Sequence, residues 1–362
     1  MNVKFFLVLI YILLISNIGG AQSNNSKHDK SNDKILSERF DLKFPRDHNA
    51  HKDFKTEWWY ITANLKTSEG DIFGIQWTLF RRKADLNNFK SIEKNIETPW
   101  INNQLWMAHA VITSKNNHLY NEKFSRGGTG QAGVEISPFL AWIDEWYFSS
   151  NNDWSMASIK ATGSKFSYNL KLESDGPLIF HGNNGKSIKT KDGHYSTYYS
   201  QPFFKVTGTI NINNQDFVVQ GNAWADREWS NAILGSNQEG WDWISLHLDN
   251  ETKLMIFRVR DNENEDFYSG TYIFNKKQKV NLIGSDIKMI PLTYNNRIDN
   301  LSKKPWRVPT AWRVIVENYN IDLTLNAINK NAFLDTIVPY WEGPVSFTGT
   351  HNGFGYLEMT GY

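Results

Sequence analysis

From Glu57 onward apolar and polar residues alternate almost one by one, and no window sustains a 3.6-residue period with caps over three turns. In Phe166, Tyr168, Leu170 and Leu172 the apolar side chains fall on one face, with Lys165, Ser167, Asn169 and Lys171 between them. This alternation half-buries a β-strand and gives a helix no continuous apolar stripe. Further runs at 205–212, 217–223, 241–248 and 253–260 are bracketed by turn residues such as Asn213-Asn214 and Asp249-Asn250. So many short strands predict an all-β protein. The best helix candidates are short pieces near 137–143 and 326–334.

An internal echo organises these strands. Trp58, Tyr60 and Leu65 recur as Trp241, Trp243 and Leu248 at one constant spacing, and each block leads into a strand ending in arginine, Arg81 and Arg82 or Arg258 and Arg260. A spacing longer than a solenoid repeat predicts two copies of one domain, 40–231 and 232–362. Before them, Lys4, an apolar run and the small residues Gly19, Gly20 and Ala21 read as a signal peptide over 1–21, which predicts a periplasmic or secreted protein. The Asn-, Ser- and Lys-rich stretch 22–39 reads as a flexible leader.

Composition excludes several function classes. Lys+Arg at 39 against Asp+Glu at 38 gives nothing to steer the chain toward nucleic acid. With Cys at 0, disulfides, thiolate nucleophiles and thiolate metal sites are impossible. No Gly-x-Ser-x-Gly elbow exists, and Gly185-Lys186-Ser187 lacks the first glycine of a phosphate loop. His48 and His51 with Asp47 and Asp53 lie in a Pro-bounded loop without a further obvious ligand. No metal or other cofactor is expected. What stands out is 15 Trp, 22 Phe and 15 Tyr, side chains suited to packed barrels and to apolar ligand pockets.

Several blocks are recognisable in order: Phe44-Pro45-Arg46-Asp47-His48, Thr56-Glu57-Trp58-Trp59-Tyr60, Met107-Ala108-His109-Ala110, Tyr198-Tyr199-Ser200, Ala223-Trp224-Ala225-Asp226-Arg227-Glu228-Trp229-Ser230 and Gly353-Phe354-Gly355-Tyr356-Leu357-Glu358. They resemble the family that joins carotenoid 1,2-hydratases to secreted AttH-type proteins, and the Asp-Arg-Glu-Trp string resembles its AttH-type branch. The resemblance implies two lipocalin-like antiparallel β-barrel domains packed together. It also implies a hydrophobic small molecule as ligand, held in a barrel hollow near the junction. Two activities are compatible with it: hydration of an isoprenoid or lipid-like carbon–carbon double bond, or non-catalytic carriage of lipophilic cargo beside ABC-transporter components.

Asp226, Arg227 and Glu228 follow a run of small and apolar residues, so alternation sends Arg227 one way and the two carboxylates the other. A carboxyl kept neutral by an apolar cavity can protonate an alkene, and aromatic faces can stabilise the resulting cation. In this reading Asp226 or Glu228 is the acid, Arg227 orients it, and Trp229, Tyr198, His109, Glu57 and Trp58 line the ligand site. The bland alternative makes Arg227 a structural bridge to Glu57 or Glu228 and His109 a satisfied core residue. It also pairs Glu57, Glu342 and Glu358 with Arg81, Arg258 or Arg260, and has Trp58 and Trp241 closing the barrel floors.

Overall fold

The computed structural model describes residues 41–84, 102–232, 234, 235, 237–276, 278–298 and 305–362; the leader segments 1–21 and 22–39 lie outside them. Alternation becomes strand throughout. Only three one-turn 3-10 segments interrupt the strands among the described residues, Arg46–His48, Gly284–Asp286 and Glu317–Tyr319.

The strands form a 13-stranded antiparallel sheet, nearly closed into a barrel, and a 10-stranded half-barrel. In both sheets the first strand pairs with the second and with the last. Thr56–Lys66 lies between Ile72–Lys83 and Gln215–Ser230, as Gln238–Leu248 lies between Lys253–Asp261 and Gly353–Met359. The echoed Trp58-Tyr60 and Trp241-Trp243 pairs thus occupy equivalent opening strands.

Both sheet interiors are lined with buried aromatic and aliphatic side chains. Trp59, Trp77, Trp146, Trp154, Phe139 and Phe148 fill the first without solvent contact, while Trp312, Trp341, Leu323, Leu325 and Val314 fill the second. Truncating one such aromatic to alanine costs about 3–5 kcal/mol. The turn Arg46–His48 stops one end of the first barrel, with the His48 ring stacked 4.4 Å from Trp154 and its Nδ1 2.7 Å from the Tyr199 hydroxyl.

The two short helix candidates are also corrected. Residues 139–143 form a strand with Phe139, Ala141 and Ile143 inward, so the period there is two. Residues 326–334 span the end of Ile321–Ala327, a turn, and the two-residue strand Phe333–Leu334.

The sheets meet face to face. Trp58, Tyr60, Tyr198, Phe203 and Trp224 of the first pack against Trp241, Trp243, Met255, Phe257 and Tyr356 of the second. Trp58 and Trp241 are half-buried here, at the junction and not on barrel floors. A bulge at Pro202, between Gln201 and Phe204, shifts the register by one, so Tyr198 and Phe203 face the junction despite their odd separation. At Gly74 the backbone of one sheet comes so near the other that an added Cβ would lie 2.6 Å from Pro344 Cγ. The proline ring has no flexible end to move aside. Gly74→Ala should therefore destabilise the fold by about 1–3 kcal/mol in urea unfolding followed by tryptophan fluorescence, and Pro344→Ala on top should recover part of the loss.

Candidate functional site

The strand Gln215–Ser230 divides its charged residues between two environments. Arg227 turns into the end of the first barrel, beside Ala225 and Ala223 in the inward row. There Glu57 accepts bonds from Arg81 Nε and Arg227 Nη2 and from the His51 backbone N–H at 2.9 Å. The same guanidinium groups tie down the loop below. Arg81 donates to the carbonyls of His51 (3.0 Å) and Phe54 (2.8 Å), and Arg227 to that of Asn49 (2.6 Å). Arg227 lies 3.8 Å from the Trp59 ring, and Trp229 stacks on His51 at 3.8 Å. Burial alone would raise the Glu57 pKa, but Arg227, the His51 bond and Arg81 outweigh it and bring it to about 2.

This ionic knot lies on the barrel side of the strand, away from the junction, and within it Arg227 Nε is buried without a hydrogen-bond partner. Glu57, Arg227 and Trp229, expected beside the ligand, thus stand together on the barrel side of the strand, and Arg227 touches neither carboxylate of Asp226 or Glu228. The second sheet carries its own version, in which buried Asp242 accepts from Arg260 (2.8 Å), Arg258 (3.4 Å) and the Tyr362 hydroxyl (2.8 Å).

Asp226 and Glu228 face the junction. Asp226 accepts from the Tyr198 hydroxyl (2.7 Å), Trp224 Nε1 (2.6 Å) and the Ser200 hydroxyl. Behind it, His181 holds Ser200 through Nε2 (2.6 Å) and Thr271 through Nδ1 (2.8 Å), and Trp243 Nε1 donates to the Tyr198 oxygen at 3.1 Å. Burial pushes the Asp226 pKa up, the three donors pull it back, and the balance is about 7. Glu228 is paired with Lys189 at 3.0 Å, whose ammonium lies 4.0 Å from the Phe257 ring.

Across the junction stands Glu358, bonded by Trp241 Nε1 at 2.6 Å and still partly exposed. Burial raises its pKa, the Trp241 bond lowers it, and the charges of Asp226 and Glu228 raise it further, to about 7. Directly opposite Glu358 in the ladder is Glu342, which accepts from the Tyr60 hydroxyl at 2.6 Å and leaves Oε2 without a partner. Burial and the Glu358 charge hold its pKa well above the usual carboxylate range. Neither residue meets an arginine: Arg81 is taken by Glu57, and Arg258 and Arg260 by Asp242. That corrects the expected pairings of Glu342 and Glu358, while the expected Glu57–Arg81 pair is present.

Tyr198, Trp58 and His109 do lie on the junction face, with Trp58 half-buried at its rim. His109 contacts the Tyr340 hydroxyl through Nδ1 (2.8 Å) and Glu122 through Nε2 (3.1 Å). Sequence reasoning did not place Glu342, Glu358, Lys189, His181 and Ser200 in the site. A usable signal existed in Tyr340-x-Glu342 and Tyr356-x-Glu358, two tyrosine–glutamate pairs at same-face spacing. No group of three or more metal-ligating side chains occurs among the described residues.

The fold and site define a class: a paired-sheet β protein whose junction holds carboxyls in aromatic surroundings without compensating arginines. The chain belongs to the AttH-like family, whose profile matches residues 36–362. The crystal structure of an AttH protein from Nitrosomonas europaea is similar at 29% identity and a TM-score of 0.74, covering 89% of this chain and 97% of that one. Kievitone hydratase from Nectria haematococca shares the fold at 13% identity and a TM-score of 0.64, covering 88% and 92%. No curated protein sequence matches the chain.

The two kinds of carboxylate give stability opposite pH dependences. Glu57 lies below its ordinary value in the folded state, so its contribution is complete above about 4.5 and is lost as pH falls toward about 2. Asp226 and Glu358 lie above theirs, so their contribution is complete below the ordinary carboxylate range and is lost as pH rises through about 7. Urea unfolding at a series of pH values should show both slopes. Glu358→Gln should flatten the alkaline one, and Glu57→Gln should cost about 3–5 kcal/mol at pH 6 by stranding two buried guanidinium groups.

Proposed function

We propose that this AttH-like protein is a hydratase that adds water to a carbon–carbon double bond of a hydrophobic, isoprenoid- or lipid-like molecule held between its two sheets, outside the cytoplasm after loss of the leader. One observation carries the reading: Asp226 and Glu358 share an aromatic junction, lack arginine partners, and both titrate near 7. Interacting carboxyls of this kind divide a proton between them at neutral pH, which supplies an acid and a base together. The fold likeness to kievitone hydratase supports the reaction class.

The hydrogen bonds support one division of roles. Asp226 has three donors aimed at its oxygens and is best satisfied as the anion. Glu358 has one donor, two anionic neighbours and an accessible edge, so the proton rests there. In this reading Glu358 takes the acid role expected of Asp226 or Glu228. The alkene π pair takes the Glu358 proton to form a C–H bond and leaves a tertiary cation on the neighbouring carbon. Aromatic faces such as Trp58, Trp241 and Trp243 stabilise it by roughly 0.5–2 kcal/mol each. Water adds to the cation and gives its proton to Asp226, and transfer of one proton from Asp226 to Glu358 restores the starting state.

The test is incubation with squalene and acyclic carotenoids in 18O-labelled water. Labelled alcohol is expected, with a rate that falls on both sides of pH 7 and drops about 100-fold or more in Glu358→Gln and Asp226→Asn. Saturable tryptophan quenching by the same compounds with no label in any product would overturn hydration in favour of the carrier that serves an ABC transporter.

A further inference from the structure

The junction is acidic at one end, around Asp226 and Glu358, and basic at the other. On the second sheet Lys253, Met255 and Phe257 alternate onto the junction face, and His247 stands directly opposite Lys253 in the ladder. On the first sheet Lys205 is the partner of Asn222, two residues before Trp224, whose ring lies 6.1 Å from that of His247. Lys253 and His247 are each only 9% exposed. Among the described residues neither lysine has an acid partner: Lys205 donates to Asn222 Oδ1 at 2.9 Å and Lys253 to the Glu251 carbonyl at 3.1 Å. His247 Nδ1 is buried with no partner at all. Burial, Lys205 and Lys276 bring the Lys253 pKa down to about 8, while Glu251 and Asp175 oppose the fall. Asp175 itself is held by Lys276 at 2.7 Å. Three lysines thus face two acids, and one positive charge is left over.

We propose that Lys253, Lys205 and His247 anchor the carboxylate head of a fatty-acid-like guest whose hydrocarbon chain runs between the sheets toward Glu358. The proposal deepens the hydratase reading and rests on it for the place of the chain. A buried ammonium with one backbone acceptor is costly, and an anion against it offsets that cost. One surplus positive charge matches a carboxylate better than a phosphate dianion. Burial and the two lysines hold the His247 ring neutral, with one N–H to donate to the same anion. Beyond the head group Trp224, Met255, Phe257 and Trp243 offer an apolar lining. Four residues along Gln238–Leu248 separate His247 from Trp243, roughly 13 Å, and Trp243 is directly opposite Glu358. The double bond presented to Glu358 is therefore in mid-chain and not beside the head group. Lys253 and Lys205 touch no reacting carbon; they are positioning residues that fix how far along the chain the acid falls.

Binding without turnover tests the anchor. Tryptophan quenching in the full chain is titrated with palmitoleic acid, palmitoleyl alcohol and acetate near neutral pH, the first two below their micelle concentrations. The acid should bind about tenfold more tightly than the alcohol, and Lys253→Met and Lys205→Met should each remove most of that difference while leaving the alcohol unchanged. Lys205 is exposed, so its substitution spares the interior if Lys253→Met fails to fold. In the chain carrying 13C-dimethylated lysines, which keep their charge, the Lys253 resonance is assigned by its absence in Lys253→Arg. It should shift on addition of the acid and stay in place with the alcohol. Equal affinities for acid and alcohol, an acid preference that survives both substitutions to methionine, or acetate bound as tightly as the acid would overturn the anchor. Acid preference with no 18O label in palmitoleic acid or the isoprenoids would remove the hydratase reading and leave the anchor to a carrier; labelled product from squalene with no acid preference would do the reverse.

Discussion

Glu57 holds the architecture in register. A carboxylate without solvent contact, gripped by Arg81 from the next strand and Arg227 from the last, joins three strands and the loop 49–54 at one point. The knot costs desolvation on every side, and its geometry is good enough to hold Glu57 ionised. Its structural effect reaches further than its energy. Drawing Arg227 into the barrel leaves Asp226 and Glu228 no choice of face, because a strand alternates, and so a stabilising contact in one compartment dictates which acids stand in the other.

The junction treats its carboxyls in the opposite way. Asp226 is buried and Glu358 half-buried, yet the second sheet commits its arginines to Asp242. Hydroxyls and indole N–H groups stand where guanidinium groups would be expected. Neutral donors stabilise an anion less than a cation does, and the result is acids that ionise near neutrality. A fold that needed only stability would gain from apolar residues at these positions.

The alternation in 166–172 and the echo of Trp58-Tyr60 in Trp241-Trp243 were sufficient to read the all-β architecture and the equivalence of the opening strands. The split of Arg227 from Asp226 and Glu228 was legible for the same reason, since period two is a local property. The partners were not. Glu342 and Glu358 look like any acids beside aromatics until the register pairs them with each other, and which arginine reaches which acid depends on three distant strands. Pro202 warned of an irregularity in its strand, but that the bulge would bring Tyr198 and Phe203 to one face required the pairing of Ala225 and Ala223.

The contact of Gly74 with Pro344 sets a mechanical boundary on all of this. Backbone and ring meet there with no compressible side chain between them, so the two sheets cannot press closer at it. The separation of the sheets at that point is therefore set by covalent geometry and not by side-chain choice, so the indoles packed nearby adjust to a spacing they do not determine.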